Sequence, residues 1–240
     1  KIFQIDDAQV PSTQSNFPVL ISLTTDAELQ ANALSTGYDI LFTNSDGIKL
    51  YHERERYNSA TGELVAWVKV PSLSGSGSGD TKIYMYYGNL GATDQQDAAN
   101  VWDTNYKGVY HLPNGTTLTT NDSTANNYNL TNTGATAITS PIGGGSYFDG
   151  TDYIEGSAAG MRVGRTTNAT WEAWFNSNAS GSGYRPHLMS FGTWNAVDKW
   201  YGVYWYQNFA TEDNRYIRFN TVNNSVSTEK IATTKFPIGS

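Results

Sequence analysis

The segment HERER (52–56) sets Glu53 and Glu55 two positions apart. In a strand that spacing puts both carboxylates on one face, with His52, Arg54 and Arg56 on the other. Two carboxylates facing one substrate are what glycoside hydrolysis needs, one to protonate the leaving oxygen and one to attack or to activate water. An edge strand studded with charge to block unwanted pairing explains the same residues without chemistry. Elsewhere TWEAWF (170–175) offers Glu172 alone between Trp171 and Trp174, and one carboxylate cannot be both acid and nucleophile. His52, His111 and His187 are scattered with no metal-ligand spacing. His111, alternating with Tyr110 in VYHLP, reads as a packed strand residue. The chain has no cysteine, which excludes thiol chemistry and disulfides. The residues predict a protein that is not an enzyme.

Binding chemistry is better represented. TWNAVDKWYGVYWYQNF (193–209) gathers Trp194, Trp200, Tyr201, Tyr204, Trp205, Tyr206 and Phe209. Strand alternation sends Trp200, Tyr204 and Tyr206 one way and Tyr201, Val203 and Trp205 the other. One set fills a core; the other is either open or covered by a neighbouring layer. If open, Trp194 and Trp200 supply flat apolar surface for the CH-rich face of a pyranose, with Asn195, Asp198 and Gln207 bonding its hydroxyls.

The elements around these residues are strands. Aromatics make up 13% of the 240 residues and charged residues only 15%, with Gly, Ser, Thr and Asn filling the polar positions, a composition suited to strands and tight turns. A net charge of −7 and a pI near 4.9 argue against a nucleic-acid partner. No apolar run approaches the roughly 20 residues of a membrane helix, so membrane insertion is not expected. Period-two patterns mark strands at 17–23, 38–44, 48–57, 62–70 and 81–88. In GELVAWVKV (62–70), Leu64, Ala66, Val68 and Val70 share one face and Val65, Trp67 and Lys69 the other. TDAELQANAL (25–34) is a short helix candidate with Thr25 or Asp26 as N-cap. SGSGSGD (74–80) reads as a long hairpin loop. Alternation stops over 89–106 and resumes at 107–112, 128–131, 146–150, 152–156, 169–177, 187–192, 199–207, 215–220 and 226–232. The expected fold is all-β, two tandem antiparallel β-sandwiches over residues 1–100 and 101–240, with NVWDTNYKGVYHL (100–112) as the hinge.

Two resemblances sharpen this. FPVLISL (17–23), the run from Tyr38 to Leu73, TKIYMYYGN (81–89) and VWDTNYKGVYHL (101–112) resemble a bacterial and archaeal β-sandwich family described as a domain of unknown function. It often precedes a concanavalin A-like module in secreted and surface proteins, and no catalytic residues are assigned to it. NDSTANNYNLT (121–131), SYFDGTDYIEG (146–156) and ATWEAWFNS (169–177) resemble the laminin G-like branch of concanavalin A-like jelly rolls. That resemblance implies a second domain lacking its last strands, completed by a further segment or subunit. It also raises calcium, which many such modules hold through loop oxygens. Asp122, Asn126 and Asn127 have compatible spacing, as do Asp149 and Asp152; metal-free Asx turns explain both sets equally. The expected function is a non-catalytic extracellular or cell-surface module that binds a glycan or cell-surface polysaccharide or mediates adhesion. The alternative is a purely structural domain of a cell-surface filament or of a phage tail or virion protein.

Overall fold

In the computed structural model of the chain, the described residues are 1–112, 117–157, 159–161, 169–176, 187–191, 200–207, 215–223 and 226–231. They are mostly strands in antiparallel sheets, as the alternation predicts, and they fall into two units, 1–161 and 162–240.

The first unit is built on a sandwich. One sheet orders strands β1 (Ile2–Ile5), β7 (Thr81–Tyr86), β3 (Leu41–Thr43) and β4 (Lys49–Leu50) as β1-β7-β3-β4. The other orders β2 (Gln14–Leu23), β6 (Glu63–Leu73) and β5 (His52–Asn58) as β2-β6-β5. The core face of β6 is the one its alternation names: Leu64, Ala66, Val68 and Val70 are buried, and Ile21 on β2 lies opposite Ala66. Phe42, Leu50, Ile83 and Met85 meet them from the other sheet. Helix α1 (Ala27–Asn32) begins where Asp26 accepts from the N–H groups of Glu28 and Leu29 at 3.1 and 3.0 Å, and it buries Leu29. The cap is therefore Asp26, one of the two candidates. Gly62, at φ +70°, closes the β5–β6 turn against it, and any side chain there would overlap the Asp26 carbonyl.

Two expectations change. SGSGSGD is no hairpin loop, because β6 and β7 lie in different sheets and 74–80 crosses between them. The segments 107–112 and 128–130 are irregular, and 169–176 carries no strand. The expected junction at 100/101 lies within the first of the two units, which runs to Met161. That junction is bound to the sandwich: Asp97 N–H, at the N-cap of the short helix α2 (Ala98–Val101), donates to the His52 carbonyl at 2.8 Å, and Lys69 Nζ donates to the carbonyl of Asn100 within that helix at 3.0 Å. Beyond it run β8 (Thr131–Thr133), β9 (Thr136–Thr139), β10 (Gly144–Tyr147) and β11 (Tyr153–Glu155), paired as β9–β10 and β8–β11.

In the second unit, β12 (His187–Phe191), β13 (Trp200–Gln207), β14 (Arg215–Asn223) and β15 (Val226–Ile231) form an antiparallel meander in chain order.

Candidate functional site

The outer face of the β2-β6-β5 sheet carries Trp67 on β6 and, directly across, Glu53 on β5. Register then shifts: Arg54 opposes Ala66 and Arg56 opposes Val65, leaving Glu55 without a cross-strand partner. Such a bulge re-aims the side chain it carries. Trp102, just after α2, stacks tilted on Trp67 with ring centroids 5.4 Å apart. His111 stacks on Trp67 from another side at 5.6 Å, and Tyr106 meets Trp102 edge-on at 5.0 Å.

Polar groups close the assembly. His111 Nε2 lies 3.1 Å from Glu53 Oε2 and its Nδ1 3.3 Å from Glu55 Oε2, so the imidazole bridges the two carboxylates. Each carboxylate also accepts an indole N–H at 2.8 Å, Glu53 from Trp102 and Glu55 from Trp67. Ser123 Oγ donates to Glu53 Oε1 at 2.5 Å. The side chains of His111 and Glu53 are only 10% exposed and that of Glu55 1%.

Burial by itself would push the Glu53 carboxyl up. The His111 hydrogen bond and charge, with the Ser123 and Trp102 donors, outweigh it and hold the carboxyl below its ordinary range. For Glu55 burial wins and the carboxyl is raised, the His111 charge and Trp67 donor only partly offsetting it. Burial would lower His111, but the bond to Glu53 and the charges of Glu53 and Glu55 raise it. The shifts of Glu53 and His111 agree: this is an ion pair buried against indole rings, with a second carboxylate on the imidazole's far nitrogen.

Glu53 and Glu55 do share a face, as their spacing indicates, and β5 is an edge strand among the described residues. Their carboxylates nevertheless point into a covered cluster, not to solvent. His111 is a packed residue, yet it comes from irregular chain and its two carboxylate neighbours favour its charged form. Trp67 on the non-core face of β6 was the sequence signal that something covers that face; nothing in the sequence identified Ser123.

Asp122 is buried and its oxygens accept from Val109 N–H, Thr124 N–H, Thr124 Oγ and Tyr128 N–H at 2.9–3.0 Å. Asn126 donates through Nδ2 to the carbonyls of Tyr106 and Lys107, and Asn127, at φ +54°, donates to the Ala125 carbonyl. These contacts are those of an Asx-type turn that holds 106–109 beside Ser123. Asp149 and Asp152 likewise cap their own turn. Of the predicted sugar-binding residues, Trp194, Asn195 and Asp198 lie outside the described residues; Trp200 and Gln207 begin and end β13, opposite Val222 and Arg215.

Residues 36–124 match the model of a family described as Domain of unknown function (DUF2341). The match spans the 100/101 position and contains every member of the Glu53–Glu55–Trp67–Trp102–His111–Ser123 cluster. No curated protein and no solved structure matches the chain.

Proposed function

We propose that the chain is a non-catalytic module of an extracellular or cell-surface protein that binds glycans or mediates adhesion. The observation that supports this is the engagement of the acid pair: Glu53 and Glu55 are bound to His111, Trp67, Trp102 and Ser123. They fasten 97–123 to the sheet, which leaves no open pair for acid–base work. Aromatic surface is available for a ligand instead. On the outer face of the first sheet Tyr84 and Tyr86 stand two apart on β7, beside Ile2 and Leu41 respectively. Tyr86 is 52% and Ile2 60% exposed, with polar Gln4 and Lys82 next in register. Planar rings beside hydrogen-bonding side chains suit the CH-rich face of a sugar.

In this reading residues 101–240 belong to a concanavalin A-like, laminin G-like jelly roll. Its antiparallel meander with an aromatic β13 supports that assignment. Trp194, Trp200, Asn195, Asp198 and Gln207 are its sugar-binding set. A structural role in a filament, phage tail or virion is the second reading, favoured by the way the chain covers its own sheet face. Glycan-array and polysaccharide pull-down assays on the multimerised chain separate the two, with Tyr86→Ala and Trp200→Ala as controls. Binding that falls in either variant supports the glycan reading. Absence of binding to any glycan leaves the structural one.

A further inference from the structure

We propose that a small polar pocket at the end of the covered sheet face, between β5, β6, β2 and the 139–143 turn, binds a single neutral hexose ring. The proposal rests on the glycan-binding reading and names a site within it. The pocket holds about 220 Å³. Its floor is one cross-strand row, in which Ser22 on β2 opposes Val65 on β6 and Val65 opposes Arg56 on β5. Thr24 and Glu63 extend that floor, and Thr139, Pro141 and Gly143 form the wall.

The wall is fixed to the sheet. Gly143, at φ +60°, approaches the Glu55 carboxylate so closely that a side chain there would overlap it. Arg56 Nη1 donates to the Gly143 carbonyl at 3.2 Å, and Ser140 Oγ bonds the carbonyls of Ile142 and Gly144 at 2.6 and 2.7 Å. The pocket is therefore shaped before any ligand arrives, which lowers the ordering cost of binding.

Charge selects the ligand class. Arg56 Nε lies 3.2 Å from Glu63 Oε2, so the pocket carries a neutralised pair. Its remaining guanidinium N–H donors sit next to remaining carboxylate lone pairs. An anion would meet Glu63 and a cation Arg56, whereas a hydroxyl both donates and accepts and fits the pair together. The hydroxyls of Ser22, Thr24 and Thr139 extend the same chemistry, and the Val65 methyls give the ring an apolar floor. Size limits the ligand as well. The volume equals that of about seven waters at ~30 Å³ each. It falls below the roughly 300–1,000 Å³ of pockets for larger ligands. One ring fits and a longer chain must extend outward.

The test is NMR on the full chain with methyl-labelled valine and threonine. It is titrated with the methyl glycosides of glucose, galactose and mannose and, as the charged comparator, inorganic phosphate. We expect at least one glycoside to shift the Val65, Thr24 and Thr139 methyls with millimolar affinity, while phosphate leaves them still. Glu63→Gln, conservative in shape, Arg56→Lys, which also gives up the Nη1 bond to Gly143, and the rim change Thr139→Val should each weaken that binding at least about tenfold, with spectra unaltered outside the pocket and its 139–143 wall. Phosphate shifting these methyls more than any glycoside overturns the assignment. So does polysaccharide binding by the multimerised chain that is unchanged in all three variants with the pocket methyls unmoved, an outcome that leaves the glycan reading standing. No response to either glycosides or polysaccharides overturns both.

Discussion

Trp102 donates its indole N–H to Glu53 Oε2 at 2.8 Å across 49 residues of chain, and that oxygen also faces His111 Nε2 at 3.1 Å. A buried carboxylate thus depends on donors supplied by a distant segment. Trp102→Phe keeps a ring against Trp67 but removes one donor from a charged acceptor, and should cost about 1.5–3 kcal/mol. Urea unfolding of the variant against the parent measures it. A midpoint unchanged within error would mean that water replaces the indole.

The cluster gives stability a defined pH dependence. His111 is raised above its ordinary 6.5, so its contribution is complete below 6.5 and is lost as pH rises through the folded value. Glu53 is held below its ordinary 4.5, so its contribution is complete above 4.5 and is lost as pH falls through its folded value. Glu55, raised, favours its protonated form and loses its contribution as pH climbs past 4.5 through its own folded value. Stability from these groups should therefore decline as pH rises above 4.5, through Glu55 and, above 6.5, through His111 as well. His111→Gln should flatten that decline. Urea midpoints from pH 5 to pH 9 test this, and a parent whose stability rises steadily over that range would contradict it.

His52 titrates in the opposite sense. It is fully buried, edge-on to Phe42 at a centroid distance of 5.2 Å, and neither ring nitrogen has a hydrogen-bond partner among the described residues. Burial, helped by Arg54 and Lys49, lowers it to about 4. Its contribution is complete above 6.5 and is lost as pH falls toward 4. His52→Leu should raise the urea midpoint more at pH 4.5 than at pH 7.5. An equal gain at both values would show that the imidazole does not titrate on unfolding.

Gly62 is confined by φ +70° and by the Asp26 carbonyl beside it. Gly62→Ala adds roughly 1–3 kcal/mol of backbone strain to a steric overlap that only movement of the helix cap relieves. Gly47, at φ +78° with open space around it, shares the strain without the overlap. Thermal melts should rank Gly62→Ala well below Gly47→Ala, and equal melts would refute the overlap.

Calcium provides a further test. With the Asp122 oxygens engaged by four donors, millimolar calcium should leave the melting temperature unchanged, whereas Asp122→Ala should lower it. A calcium-dependent rise that disappears in Asp122→Ala would support the ligand reading for Asp122, Asn126 and Asn127.

The sandwich was legible because its signals are local. The alternation of Leu64, Ala66, Val68 and Val70 named the core face of β6, and Asp26 two residues before Glu28 marked the helix start. The cluster was not legible, because its members lie 49, 58 and 70 residues apart and the bulge that turns Glu55 toward His111 leaves no mark in the alternation. The strands expected at 107–112 and 128–131 failed for a related reason. Val109 and Tyr128 donate their N–H groups to the Asp122 side chain, and Asp122 N–H donates to Asn129 Oδ1. A side chain that takes backbone donors removes them from any ladder, and periodicity does not register it.

The covering of the β5–β6 face also has a history within each molecule. Chains emerge N-terminus first, and Ser123 lies 37 residues beyond Tyr86, the end of β7, roughly 2–7 s of synthesis at about 5–20 residues per second. During that interval the sandwich strands are all outside the ribosome while Trp67 and the rim of β5 still face water. Charged Glu53, Glu55 and Arg56 on that edge strand would oppose the recruitment of a neighbour's strand, as charged edges do. Once Trp102, His111 and Ser123 arrive, the two glutamates become the anchors of the covering segment. Edge protection, which explains HERER when the sequence is read alone, and the anchorage formed in the folded unit are compatible roles of the same residues.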